Sequence, residues 1–395
     1  MGACMNITLR WGASLIVIGL GTILSATSAL SQVAFVSKPT LTTGSAPLGV
    51  AVGDFKNNQY VGVAVTSGGG GTPIVTVFQG NGDGTFGQSS SYPTGASPGG
   101  IAVGDFKNRG AVDLAIANQG SDSITILLNT GTGSGLFTAG TTITLPAGSA
   151  PTGIAVGDFD GDHNQDLAVT SYNNNQIFVF LGNGDGTFQG PRTFAAHVGP
   201  NPTGIVVADF NRDGADDIAV INSGSFTVTV LLGDGSGMGF AATSYDSYSP
   251  HGLPHANGLA VGDFNRDGYP DLAVAFSSVN FATVLLNQGN GTFKAPVAYA
   301  TSGAPGAIAV GDIDHDGKLA LIVPCSGIPA TLSVFQGIGD GTFKPRVTVS
   351  NPTNSSTGIA IGPFTGSKHV DMAVADSPNL AAIFVDDIVF ADGFQ

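Results

Sequence analysis

One motif returns along this chain at nearly constant spacing. Gly-Asp-Phe or a close relative puts an acidic marker at Asp54, Asp105, Asp158, Asp209, Asp263 and Asp312, and Pro363 stands in the equivalent slot of Ile-Gly-Pro-Phe. The intervals are 51, 53, 51, 54, 49 and 51 residues. A period near 50 means that each repeat is one supersecondary unit, unable to bury its apolar faces alone and obliged to stack on its neighbours.

The unit beginning at Thr152 shows the contents of one repeat. TGIAVGDF, DLAVTS, QIFVFLG and PRTFAAHV are short runs rich in β-branched and aromatic residues, bounded by Gly, Asn, Asp and Pro, with the turn NGDGTF before the last. Four short strands form one antiparallel blade, and seven units predict an all-β, seven-bladed β-propeller. The ends carry the same phase. Phe35 lies 19 residues before Asp54, as Phe86 does before Asp105 and Phe293 before Asp312, while Phe394 follows Asp371 by 23 residues, as Phe240 follows Asp217. Residues 33 to 43 are therefore expected to supply the outer strand of blade seven and cover an edge that would otherwise stay unpaired. An alternative for the terminal VFADGFQ is a sorting tag of an exported protein.

MGACMNITLR, WGASLIVIGLGTIL and SATSALSQ follow one another as a short start, an apolar run and a small-residue stretch, the pattern of a secretory signal peptide. Cleavage is expected after Ser31. The domain reading is then 1–31 signal peptide and 32–395 one propeller, secreted, at the cell surface or in the periplasm. Cys4 and Trp11 leave with the peptide, so Cys325 in LIVPCSG is expected to be a buried, unpaired small hydrophobe.

All 28 acidic residues are Asp, a residue of turns and caps, and Gly numbers 60 of 395. A net charge of −15 with 13 Lys plus Arg argues against nucleic acid or an anionic membrane as partner. The acid gathers in the repeated loop. In VGDFNRDGYPDLAVA, Asp263, Asn265, Asp267 and Asp271 stand at loop positions one, three, five and nine, with Gly268 at six. Hard oxygen donors in this number suit Ca²⁺, which takes six to eight of them, backbone carbonyls and waters included. An EF-hand begins similarly but needs Glu at twelve, where this chain has Val169, Val220 or Val274. The alternative is a set of Asp-rich turns without metal, in which neighbouring carboxylates would repel.

AVGDFNRDGYPDLAV resembles the FG-GAP/VCBS repeat, the seven-bladed family that includes integrin α-subunit headpieces and some secreted lectins. The likeness covers nearly all of residues 33 to 395 and implies Ca²⁺ bound between the first two strands of a blade. Carried over by position, it implies ligands at Asp158, Asp160, Asp162 and Asp166 in blade three, Asp209, Asn211, Asp213 and Asp217 in blade four, and Asp263, Asn265, Asp267 and Asp271 in blade five. Position seven adds the carbonyls of Asn164, Ala215 and Tyr269. His163 replaces the usual glycine in blade three. Blade six keeps Asp312, Asp314 and Asp316 but has Ala320 at nine, which predicts weak binding at most. Lys56 and Lys107 at position three of blades one and two are expected to replace the metal by ion pairs with Asp54, or with Asp105 and Asp113. Blade seven, with Pro363, Thr365 and Ser367, lacks the donors.

Three other patterns imitate chemistry. Gly95-Ala96-Ser97-Pro98-Gly99 fits a nucleophile elbow but aligns with interblade turns SAPLG and SAPTG. His251 and His255 are separated by Pro254 and flank Gly252, which argues against a helical metal pair. NGDGTF lacks the Lys-Ser/Thr of a phosphate loop and reads as a hairpin turn. The face opposite the Asp loops collects Asn118, Tyr172, Asn173, Asn222, Tyr245, Tyr248, His251 and His255, and its longest insertion is SYDSYSPHGLPHANG from Ser244. These features predict a monomeric, non-enzymatic protein-interaction or adhesion module that binds an extracellular protein. The runner-up is a glycan-binding, lectin-like propeller, weakened because the chain would lack Trp once Trp11 is cleaved away, and the third reading is a propeller-based polysaccharide lyase or hydrolase.

Overall fold

The computed structural model describes residues 35–194, 199–247, 256–351, 356–366, 370–376 and 379–386. Residues 1–31, expected to be a signal peptide, the terminal DGFQ with Phe394, and Tyr248, His251 and His255 lie outside the described residues. Within them are seven antiparallel sheets, one per sequence unit. Blade three runs Pro151–Gly157, Asp166–Ser171, Gln176–Phe180 and Arg192–Phe194. Blade seven joins Ser356–Gly362, Asp371–Asp376 and Leu380–Asp386 to the N-terminal Phe35–Thr42, which pairs from Phe35 with Asp386 to Thr42 with Leu380. The strand phase inferred from Phe35 is thus realised, and no blade edge is left where the chain begins.

The second strand of each blade is covered on both faces by neighbouring blades. All six residues of Gly62–Ser67, Asp113–Asn118, Asp166–Ser171, Asp217–Asn222 and Asp271–Phe276 are buried, which is why these segments read as unbroken apolar runs. Cys325 lies in the equivalent strand, Ala320–Ser326, buried and free as expected. Innermost strands meet around the axis, where glycine is required. A Cβ on Gly153 would stand 2.3 Å from the Thr203 carbonyl oxygen, and one on Gly358 2.4 Å from that of Leu48, across the ring closure. Thr152 and Thr357 donate from Oγ1 to the carbonyls of Pro202 and Pro47 in the following blade, at 3.1 and 2.8 Å. The axial channel, about 600 Å³, is lined by these inner strands, and its lining among the described residues has no titratable side chain.

A second layer of interblade contact uses the phenylalanines of both repeat motifs. The GDF phenylalanine of one blade meets the phenylalanine after the third strand of the next edge to face: Phe55 with Phe137, Phe106 with Phe188, Phe159 with Phe240, Phe210 with Phe293, Phe264 with Phe343, and Phe364 with Phe86, at centroid distances of 5.3 to 6.1 Å. Blade six has Ile313 instead, and Phe35 packs into its cluster. The amides of Gly186, Gly84 and Gly341 donate to the carbonyls of Phe106, Phe364 and Phe264 at 2.8, 3.0 and 3.1 Å, so these three clasps have a polar component as well.

Candidate functional site

The Asp loops join first to second strands, and the repeated turns join third to fourth, so both lie on one face. Inner strands end one residue before the marker: Asp158 and Phe159 were expected to continue the strand but turn out of it. The position-nine carboxylate is the cause. Asp166 is fully buried and accepts the Phe159 amide at 2.8 Å and the Gly182 amide at 2.7 Å. Asp217 holds Phe210 and Gly233 in the same way, and Asp271 holds Phe264 and Asn287. Asp113 repeats this with Phe106 and Asn129 in blade two, and Asp371 accepts from Thr365 in blade seven, although neither loop has the metal pattern. Position nine is therefore a structural tie wherever it is Asp. Only the recurrence of Asp113 and Asp371 in loops lacking the other donors could have signalled this.

Burial dominates the electrostatics of these ties. It pushes Asp113, Asp217 and Asp271 up to about 6 and Asp166 to about 7, against the opposing effect of their two amide donors, and neighbouring loop carboxylates add to the rise. The folded chain thus binds more protons than the unfolded chain between these values and the ordinary 3.8. Stability of the metal-free protein should rise as pH falls from about 7.5 to about 5. Below about 4 the trend should reverse, as Asp83, Asp185, Asp234 and Asp340, held low by Thr or Ser hydrogen bonds, become protonated. Urea midpoints across this range in EGTA check it; a midpoint that falls steadily from pH 7.5 would contradict the assignment.

Position one acts as a turn cap. Asp209 accepts the amides of Asp213 and Gly214, and Asp263 those of Asp267 and Gly268, at 2.8 to 3.1 Å. In both loops positions three and five also bond to each other: Asn211 Nδ2 to Asp213 Oδ2 at 2.8 Å and Asn265 Nδ2 to Asp267 Oδ2 at 2.9 Å. Ala215 and Tyr269 donate their amides to Oδ1 of Asp213 and Asp267, and the Arg212 guanidinium stands 4.7 Å above the Tyr269 ring.

Blade three differs. Oxygens of Asp158, Asp160 and Asp166 lie within 4.8 Å of one another. Oδ1 of Asp160 is buried without a hydrogen-bond partner. Burial first, then Asp162 and Asp158, push the Asp160 carboxyl above its ordinary value. Asp162 is held by the amide and side chain of Asn164, whose Oδ1 accepts from Asn108 of blade two at 2.7 Å. His163 takes a positive φ of 67°, donates its amide to Asp158 Oδ2, and places Nδ1 3.5 Å from the same oxygen.

The ion pairs expected of Lys56 and Lys107 are not formed. Among the described residues the lysine-carboxylate pair is Lys318 with Asp316. Backbone amides of Asn58 and Gln59 serve both oxygens of Asp54, whereas that of Gly110 serves only Oδ2 of Asp105, whose Oδ1 is buried without a partner. Lys107 instead packs along Gly186 of the next blade.

On the opposite face, three of the residues that the sequence places there, Asn118, Asn222 and Tyr245, are built into the scaffold. Asn118 and Asn222 are fully buried and donate to Thr125 and Thr229 of their own third strands, at 2.9 and 2.8 Å. Tyr245 belongs to the outer strand Phe240–Asp246, stacks edge to face on Phe293, and sends its hydroxyl to the Gly291 carbonyl. Their strand positions, at the ends of β-segments flanked by a neighbouring blade, override the polarity that made them look like loop residues. Tyr172 does occupy a second-to-third-strand turn and is half-buried.

Comparison with known proteins agrees with this architecture. The FG-GAP-like repeat matches residues 105–169, 158–220, 209–274 and 263–323, together more than half of the chain. Comparison with curated proteins finds no match. Among solved structures, the chain resembles BBS1N in complex with ARL6DN, soaked with lead, with a TM-score of 0.63 at 13% identity over 90% of this chain and 98% of that one. An Agrocybe aegerita lectin that recognises non-reducing terminal N-acetylglucosamine gives 0.58 at 18% identity, over 88% and 86%. The Pseudomonas aeruginosa periplasmic gluconolactonase PpgL gives 0.59 at 16%, over 78% and 85%. Likenesses this distant concern the fold alone. Each matched stretch runs from one Asp loop through the second strand of the following blade, and with seven four-stranded sheets on the same period, this chain belongs to the FG-GAP-like repeat family.

Proposed function

We propose that the chain is an exported, calcium-stabilised propeller that acts as a protein-interaction or adhesion module, with cations on one face and its partner on the other. The blade-three loop carries the reading. Asp158, Asp160, Asp162 and Asp166 share it, no Lys or Arg pairs with them among the described residues, and a buried Asp160 oxygen has no hydrogen bond. A hard dication would supply the missing charge and the missing partner at once. Asp158, Asp160 and Asp166, whose oxygens lie within 4.8 Å of one another, would hold it with Asp162 and the Asn164 carbonyl, and the corresponding residues of blades four and five would hold two more. When bound, calcium contributes charge neutralisation and loop stiffening.

Affinities of about 10⁻⁴ to 10⁻³ M are expected for extracellular modules of this kind. At a free concentration about 100 times Kd, linkage stabilises by about 2.7 kcal/mol per site. Calorimetry should therefore show a higher melting temperature in calcium than in EGTA, with part of the gain removed by Asp160→Asn. Equal melting in both buffers, with no metal retained, would refute the calcium reading.

The opposite face supports the partner half. Its second-to-third-strand turns and blade junctions contain a single acidic residue, Asp122, and no Lys or Arg. Both Asp122 oxygens are occupied by the amides of Gly148 and Ala150 at 2.7 Å. Ser244 to Asp246 of the long insertion belong to the outer strand Phe240–Asp246, and residues 248–255 lie outside the described residues. Replacing residues 248 to 255 by the Ser302 to Pro305 turn should weaken a partner found on extracellular protein arrays by about tenfold or more, with calcium stabilisation unchanged. The uncharged character of this face also favours a neutral glycan as a second reading, in keeping with the lectin likeness, so glycan arrays form the other arm. The channel offers a lyase or hydrolase no acid or base among its lining residues.

A further inference from the structure

Blade six presents the same three carboxylates as the metal pattern, with oxygens of Asp312, Asp314 and Asp316 within 4.8 Å. Its charge balance is different from that of blade three. Lys318, at position seven, places Nζ 2.7 Å from Asp316 Oδ2 and donates its amide to Oδ1 of the same carboxylate at 3.0 Å. Gln336 Nε2 donates to Asp314 Oδ2 at 2.8 Å, and Lys344 Nζ stands 3.5 Å from the Gln336 oxygen. Gly317 serves Asp312 Oδ2 at 3.0 Å, while Oδ1 of the same carboxylate is buried without a partner, as Asp160 Oδ1 is in blade three, so the two loops differ in the nearby ammonium and not in this oxygen. The lysine stem lies along Gly339 in the adjoining turn, where a side chain would meet its Cδ at 3.0 Å.

We infer that Lys318 is the resident cation of blade six: its ammonium takes the place of calcium, and this side chain, rather than Ala320 at position nine, keeps the loop metal-free. Position nine does not decide the matter, because there the carboxylate is a backbone tie in blades two and seven as well. Position seven does, because its side chain lies on the same side of the turn as the position-five carboxylate two residues earlier. Ala215 and Tyr269 at that position in blades four and five bring no charge, and Asn164 in blade three is engaged by Asn108. The inference builds on the calcium reading for blades three to five but is tested separately from it.

The experiment counts calcium per chain by isothermal titration and native mass spectrometry on the full secreted chain, comparing wild type, Lys318→Met, Lys318→Arg and Asp314→Asn. Lys318→Met should bind one calcium more than wild type, and Lys318→Arg and Asp314→Asn the same number as wild type. A Lys318→Met variant that melts cooperatively yet gains no calcium overturns the inference. So does a wild type that loses one equivalent on Asp314→Asn, which would mean that calcium already sits beside the lysine. If wild type binds none, the calcium reading of blades three to five fails, and gain or no gain in Lys318→Met still decides the role of this residue.

Discussion

A chain lacking residues 33 to 43 should fold poorly and aggregate, with a melting temperature lowered by roughly 5–10 °C where a folded fraction survives. The strand Phe35–Thr42 pairs with Leu380–Asp386 from Phe35 to Lys38 and again at Leu41 and Thr42, with a shift of register between, and its removal exposes the backbone of that third strand as a free edge. Ala381, Ala382, Ile383, Phe384 and Val385 in that strand are buried. Phe35 and Leu41 also pack on the clusters at the two sides of blade seven, beside Ile313 and Phe364 respectively. Loss of two such side chains and partial exposure of others amounts to about 5 kcal/mol, and an uncovered apolar strand edge pairs readily with a second copy. Light scattering and calorimetry on the truncated chain test this. If it remains monodisperse and melts with the intact protein, the N-terminal strand does not close the ring.

Phe106→Ala should cost about 3–5 kcal/mol, near the upper range for a single core truncation. The ring is buried, meets Phe188 at 5.3 Å and packs between Leu167, Ile126 and their neighbours at the junction of blades two and three. Its backbone is fixed independently, by Asp113 on the amide and Gly186 on the carbonyl, so the surroundings cannot collapse into the cavity. Phe106→Ile should cost much less, since Ile313 occupies the same position in blade six. Urea denaturation supplies both values; a loss below about 1 kcal/mol for alanine would show that the aromatic clasp is not what binds successive blades.

Much of the architecture was legible before any coordinates because a propeller repeats one local solution seven times. Short β-branched runs between Gly-Asn-Asp turns declare strands, and a side chain demanded by one blade is demanded again about 50 residues later. The loop donors were legible for the same reason. What failed were inferences about which way a side chain goes. Lys56 and Lys107 have the charge to pair with the loop carboxylates, but backbone amides already occupy both oxygens of Asp54 and Lys107 lies along Gly186 instead, whereas Lys318 reaches Asp316. Asn118, Asn222 and Tyr245 are polar enough for a binding face but sit on strands flanked by a second blade.

By itself, the sequence determined the number of blades, the strand that closes them and the loops in which acid accumulates, because periodicity and turn chemistry are local and add coherently over seven units. Only the tertiary structure decided that Asp166, Asp217 and Asp271 tie the backbone, that Asp160 keeps a buried oxygen unpaired, and that Lys318 rather than Lys56 or Lys107 pairs with a loop carboxylate, Asp316. Those outcomes depend on which amides from the third strand and the next blade reach a given oxygen first. Sequence spacing holds no record of that competition.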